Sequence, residues 1–171
     1  MGTLVTKERK ETLASVKKIE ARDQTIVLRV DAERLYAWVD KTEPHEMYEF
    51  CVLKDNEHSS GGWPLSHFTS EIFIDKDVSW YVETTDPEYS VAMKKIVHEP
   101  NEKPKNSLNF FNNKIIDSIG NPGSQFVRAK VLNELKFDNE IYVYSIYFTI
   151  HPLDGRVDKD FKIDPKLCGN T

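Results

Sequence analysis

The residues in this chain that could do chemistry are five histidines and several sets of carboxylates. The histidines, His45, His58, His67, His98 and His151, are scattered. A metal site needs at least three ligands to converge, and this spacing carries no local ligand pattern. The segment His45-Glu46-Met47-Tyr48-Glu49 superficially resembles a zinc-binding helix. Glu49 stands where the second histidine belongs, and the segment reads as a loop entering a strand. His58 and His67 flank Gly61-Gly62-Trp63 and could face each other across that loop. The plainer reading is two solvated loop histidines. Trp63 lies between Gly62 and Pro64, where a core role is least expected. An exposed indole there would stack on a sugar ring or a partner surface. Trp63, His58 and His67 are therefore the candidate ligand-binding residues.

The carboxylates gather at turns: Asp75 with Asp77, and Asp154, Asp158 and Asp160 near one hairpin. Aspartate is favoured at turns because its side chain bonds nearby backbone. Asp154, Asp158 and Asp160 are a candidate calcium set, since carboxylate oxygens suit a hard cation. They lack the regular alternation and terminal Glu of an EF-hand, so turn chemistry is the simpler account. Other reactive patterns are missing. The seven glycines include no phosphate-binding run, and no Gly-x-Ser-x-Gly elbow occurs. No strand carries the close histidine pair of a cupin-like metalloenzyme. The expectation is a protein that is not an enzyme and uses no cofactor.

Composition narrows the setting. With 171 residues and a net charge of −5, the chain lacks the basic balance of a general nucleic-acid binder. No apolar run approaches the roughly 18–20 residues of a membrane span. Cys51 and Cys168 are too few for a disulfide framework. Cys51 reads as a small core residue, and Cys168 as part of an exposed tail. The charged N-terminus has no apolar stretch typical of a secretory signal, and no Asn-x-Ser/Thr sequon occurs. Both favour a cytoplasmic location. Met1-Gly2-Thr3-Leu4-Val5-Thr6 fits the N-myristoylation pattern, and Cys168 lies four residues from the C-terminus. Gly169 and Asn170 suit a prenylation box poorly, and chance accounts for both matches.

The elements that must position these residues are mostly strands. Thr25–Val30 is β-branched and compact. Asp31 is a plausible N-cap for a helix of one or two turns, with Leu35, Trp38 and Val39 on one face. A turn at Thr42–Pro44 precedes a strand over Met47–Leu53, and residues 55–66 are a loop. Ser70–Ile74, Val78–Glu83 and Tyr89–His98 read as further strands. In the last, Val91, Met93 and Val97 oppose Ala92, Lys94 and His98. Leu108–Ile119 fits helical spacing but stays open between helix and strand, as does Leu13–Ile19. Gln125–Leu132 is a strand. The clearest is Ile141–Ile150, whose even positions, Tyr142, Tyr144, Ile146, Phe148 and Ile150, form an unbroken apolar face. Asp154-Gly155 is a hairpin signal, and Lys159–Ile163 follows it.

The pattern predicts a mainly β fold. It reads as an antiparallel β-sandwich, immunoglobulin-like or jelly-roll-like, of about seven to nine strands with one or two short helices. It divides into a charged N-terminal extension (1–24), one sandwich domain (25–167) and a tail (168–171). The odd positions of the long strand keep Ile141, Val143 and Tyr147. Either the protein itself covers that face, or a second copy does.

Three stretches together resemble the PixA/AidA-type bacterial inclusion-body proteins. Val30-Asp31-Ala32-Glu33-Arg34-Leu35, after its strand, is similar to that family's opening. Ile74-Asp75-Lys76-Asp77-Val78-Ser79-Trp80 is similar to its turn-linked strand pair, with Tyr89–Met93 following. Tyr142–Phe148 and then Phe161-Lys162-Ile163-Asp164-Pro165 are similar to its long aromatic strand and its closing strand. The charged N-terminal extension and the Gly61-Gly62-Trp63 loop depart from the family pattern. The resemblance implies a compact β-sandwich in the bacterial cytoplasm. It also implies self-association into inclusions, and roles in host interaction or population density. No catalytic residue is carried over. The alternative is a carbohydrate- or small-ligand-binding module at Trp63, His58 and His67, assisted by calcium.

Overall fold

The computed structural model describes residues 20–38 and 46–171. The myristoylation pattern, Leu13–Ile19, Val39, the Thr42–Pro44 turn and His45 lie outside the described residues. So does most of the N-terminal extension.

Ten strands and one helix are present among the described residues: β1 (Gln24–Val30), α1 (Ala32–Trp38), β2 (Cys51–Lys54), β3 (Thr69–Phe73), β4 (Asp77–Thr84), β5 (Tyr89–His98), β6 (Ile115–Asp117), β7 (Val127–Lys130), β8 (Ile141–Pro152), β9 (Lys159–Ile163) and β10 (Lys166–Asn170). Asp31 caps α1 as its position predicts, accepting the Arg34 N–H at 3.2 Å. The helix buries Ala32, Leu35 and Tyr36.

The strands form two sheets. One has the order β2-β1-β4-β7; the other runs β3-β10-β8-β5-β6, with β9 also beside β8. Most neighbours are antiparallel, but β1–β4 and β3–β10 are parallel. The expectation of an antiparallel-only arrangement is corrected accordingly. Alternation along a strand reports which face is buried, not the direction of its neighbour. Between β1 and β4 the chain builds α1, β2 and β3, which is the long crossover that a parallel pair requires.

The even face of β8 is fully buried from Tyr142 to Ile150. Trp80, on β4 of the other sheet, donates its indole N–H to Tyr144 Oη at 3.2 Å. The two rings meet edge to face, 5.8 Å between centroids. Phe111 meets both Trp80 and Tyr142 edge-on. This seam of aromatic rings joins the sheets through one apolar cluster. It shows how a chain of modest apolar content can still bury a substantial core.

Several local expectations change. The strand expected from Met47 begins at Cys51. Met47–Glu49 is a single 3-10 turn, with the Glu49 carboxylate accepting the Glu46 N–H. The open segment 108–119 contains no helix. Phe110 and Phe111 are both buried in an irregular stretch, where the Phe110 carbonyl accepts the Leu132 N–H and the Phe111 N–H donates to Asn109 Oδ1 instead of to a helical carbonyl. Only Ile115–Asp117 of that segment is strand. In β5 a register shift between Met93 and Lys95 reverses the alternation. Ile96 and His98 therefore turn inward, where the sequence pattern puts Val97. Residues 168–170 are not an exposed tail but the end of β10, which lies between β3 and β8. Cys168 is half-buried there, and burial with the nearby Glu71 pushes its thiol up to about 11.

Candidate functional site

The loop joining β2 to β3 is built on one buried carboxylate. Asp55 accepts the backbone N–H groups of Glu57 and His58 at 2.8 and 2.7 Å, and the Ser70 hydroxyl at 2.7 Å. Its side chain is wholly covered, while that of His58, 3.5 Å away, is 59% exposed. An aspartate bonding the amides two and three residues on closes a tight Asx-type turn. Asn56 N–H donates to Gln24 Oε1, and Asn56 Nδ2 donates to the Asp23 carbonyl. Ser60 then ties the loop back to β2. Its hydroxyl accepts the Leu53 N–H and its own N–H donates to the Leu53 carbonyl, both at 2.8 Å.

This frame fixes where Trp63 goes. Gly62 adopts φ +79°, a left-handed turn that favours glycine, and Trp63 N–H donates to the Ser60 carbonyl. The indole emerges 69% exposed. A 3-10 turn, Leu65–His67, follows and leaves His67 exposed while Leu65 is buried beneath it. The sequence-predicted trio is brought together: His58, Trp63 and His67 line one hollow of about 280 Å³, with Ser59, Ser60, Pro64, Phe68 and Thr69 completing it. Sequence reasoning treated 55–66 as a loop and missed Asp55, Ser60 and Ser70 as its frame. The one local signal was Asp55 itself, since aspartate at the start of a loop favours an Asx turn.

The candidate calcium carboxylates are placed differently. Asp154 is held by the Arg156 Nε at 2.8 Å, Asp158 pairs with His151, and Asp160 accepts the Thr149 hydroxyl. Three separate partners thus engage three separate carboxylates. Arg156 holds the Asp154 carboxyl below its ordinary range. Among the described residues, no group of three or more His, Cys, Asp or Glu is arranged to hold a metal ion.

The outward residues of β8 are also distributed. Val143 is buried, whereas Ile141 and Tyr147 are half-buried. Lys95 lies over the Tyr147 ring at 4.9 Å, and Lys162 of β9 sits opposite it in register. Ser145, between Val143 and Tyr147, donates towards both Glu99 and Asp164. The face is therefore mixed, with charge interleaved among its apolar residues.

Two further buried groups are shifted from their ordinary ranges, in opposite directions. Burial pushes the Cys51 thiol up to about 12, with Asp31 adding to it, so it stays protonated. His98 stacks on Tyr142 at 4.9 Å and bonds Ser107 Oγ at 3.0 Å. Burial, its largest influence, holds the imidazole below its usual range. Among the described residues, no helix is long and apolar enough to cross a membrane.

No protein-family model matches the sequence, and no curated protein matches it. A solved structure does match the fold. The crystal structure of the PixA inclusion body protein from Burkholderia cenocepacia superposes with a TM-score of 0.60, covering 90% of this chain and 98% of that one. Identity is only 6%, so the likeness is one of fold. The resemblance noted along the strands thus has a three-dimensional counterpart: this chain folds like a PixA inclusion body protein.

Proposed function

We propose that the chain is a non-enzymatic β-sandwich protein of the bacterial cytoplasm that associates with itself. Its role would be of the inclusion-body kind, tied to host interaction or population density. The observation that carries this reading is the fold likeness to the PixA inclusion body protein over nearly the whole of both chains.

A sheet edge is the natural contact surface for such association. Two edges meet other parts of the chain. Ser60 covers the outer side of β2, and the Gln24 amide donates to the Glu71 carbonyl on β3. β6 ends the six-stranded sheet, and Ile115 and Ile119 beside it are 49% and 53% exposed. Light scattering across a wide concentration range tests the reading. The expected mass rises above the 19.8 kDa of one chain, and Ile115→Lys lowers it. A single-chain mass at every concentration would end the proposal.

A second reading, a carbohydrate- or small-ligand-binding module, is favoured by one observation: His58, Trp63 and His67 line the same hollow.

A further inference from the structure

We infer that the hollow between β2 and β3 binds a neutral sugar ring, stacked on the Trp63 indole. This rests on the small-ligand reading of that hollow and names its ligand class.

No lysine or arginine is among the described residues that line the hollow, so it offers no fixed positive charge to a phosphate or carboxylate ligand. No carboxylate lines it either. Asp55 lies beneath, but its oxygens accept two backbone amides and one hydroxyl, and its side chain is fully covered. A hard cation such as calcium would need several oxygen ligands, which this lining does not supply. Two histidines fall short of the three protein ligands of a typical zinc site. The hollow is therefore suited to a neutral ligand.

Its walls divide into two kinds. Trp63, Pro64 and Phe68 supply apolar surface; Ser59, Ser60, Thr69, His58 and His67 supply hydroxyls and ring nitrogens. A pyranose has the matching division, with C–H faces that stack on an aromatic ring and a rim of hydroxyls that donate and accept. At about 280 Å³ the space is at the small end of ligand sites, enough for one ring rather than a long chain. His58 Nδ1 faces Asp55, so Nε2, on the far side of the imidazole, is the atom placed for a sugar hydroxyl.

The loop is tied by hydrogen bonds before any ligand arrives, and such pre-ordering favours weak ligands. Trp63 reaches solvent on a segment held by Asp55, Ser60 and the turn at Gly62, so little conformational freedom is lost when a ring settles on it. An indole left 69% exposed contributes little to the core, which makes its substitution a clean test.

The experiment uses the full chain, a printed array of neutral glycans, and calorimetric titration with free glucose, galactose and N-acetylglucosamine. Inorganic phosphate and zinc chloride are titrated in parallel, each with and without EDTA. The expected result is binding of at least one neutral glycan, insensitive to EDTA. Trp63→Ala weakens it at least tenfold, and Trp63→Phe restores part of the loss. His58→Gln weakens it less than Trp63→Ala does. An unchanged near-ultraviolet circular dichroism spectrum establishes that each variant is folded. Binding of phosphate or zinc at Trp63 without any glycan would overturn the sugar assignment while keeping the small-ligand reading. Silence with every probe would overturn both. Loss of self-association in Trp63→Ala, with no glycan bound, would also overturn the sugar assignment and make the residue a protein contact.

Discussion

Two loops of this protein carry the same residue types and use them in opposite ways. Both the β2–β3 loop and the β8–β9 hairpin place aspartate beside histidine. In the hairpin, Asp154 and Asp158 are more than half exposed and are taken up by Arg156 and His151 at the surface. In the β2–β3 loop the carboxylate is underneath and wholly covered, and the histidines and indole face outward. A surface ion pair contributes little to stability because water competes for both partners. A buried carboxylate with three donors is costly to disturb, because removing it strands those donors. One loop spends its polar groups on itself, while the other uses one buried group to free the rest for a ligand.

The contrast between buried and exposed groups can be broken at four points. The largest effect should come from the buried tryptophan, Trp80. Trp80→Ala, in the seam between the sheets, is expected to cost about 3–5 kcal/mol in denaturant melts. A loss under about 1 kcal/mol would mean that the aromatic seam is not the core its packing describes. Next, Asp55→Ala should cost about 2–3 kcal/mol, through the unsatisfied Glu57 and His58 amides and the Ser70 hydroxyl. Asp154→Ala should leave the melting midpoint where it was; equal losses at the two aspartates would erase the distinction between the loops.

A smaller effect concerns pH. His98 is held below its unfolded value near 6.5, so the unfolded chain binds the proton more readily. Stability from this group is complete above pH 6.5 or so and declines as the pH falls through that value towards the folded one. His98→Gln should flatten the slope of stability against pH in that window. A slope unchanged by this variant would move its origin elsewhere. Among the smallest effects is Trp63→Ala, which should alter stability by no more than about 0.5 kcal/mol while weakening sugar binding at least tenfold.

Much of the fold was legible because period-two alternation is a direct record of burial. β8 is the plainest case: its even residues read as one face and are one face. Trp80 read as core, Asp31 as a cap and Asp154-Gly155 as a hairpin for equally local reasons. What was hidden was non-local. The bulge in β5 inserts one residue, and no propensity marks where the phase turns over. β6 is three residues long, too short to establish a period. β10 contains Cys168-Gly169-Asn170, which reads as a tail, yet Gly169 is required because a Cβ there would come within 2.2 Å of the Phe137 carbonyl oxygen. The candidate ligand site was legible in its exposed members, since Gly, Pro and Trp together mark an outward loop. Its frame was not, because an aspartate in a loop looks the same whether it meets water or a buried turn.

The position of β10 has a consequence for the order of events in folding. Its neighbours are β8, close in sequence, and β3, about a hundred residues earlier. During synthesis β3 emerges long before its sheet partner exists, and its pairing side stays open until residues 166–170 leave the ribosome. The loop that carries Trp63 leads directly into β3, so it too has an incomplete foundation until then. A nascent chain arrested before Lys166 should therefore be vulnerable to protease at the β2–β3 loop, and release of the last strand should close that window in a single step.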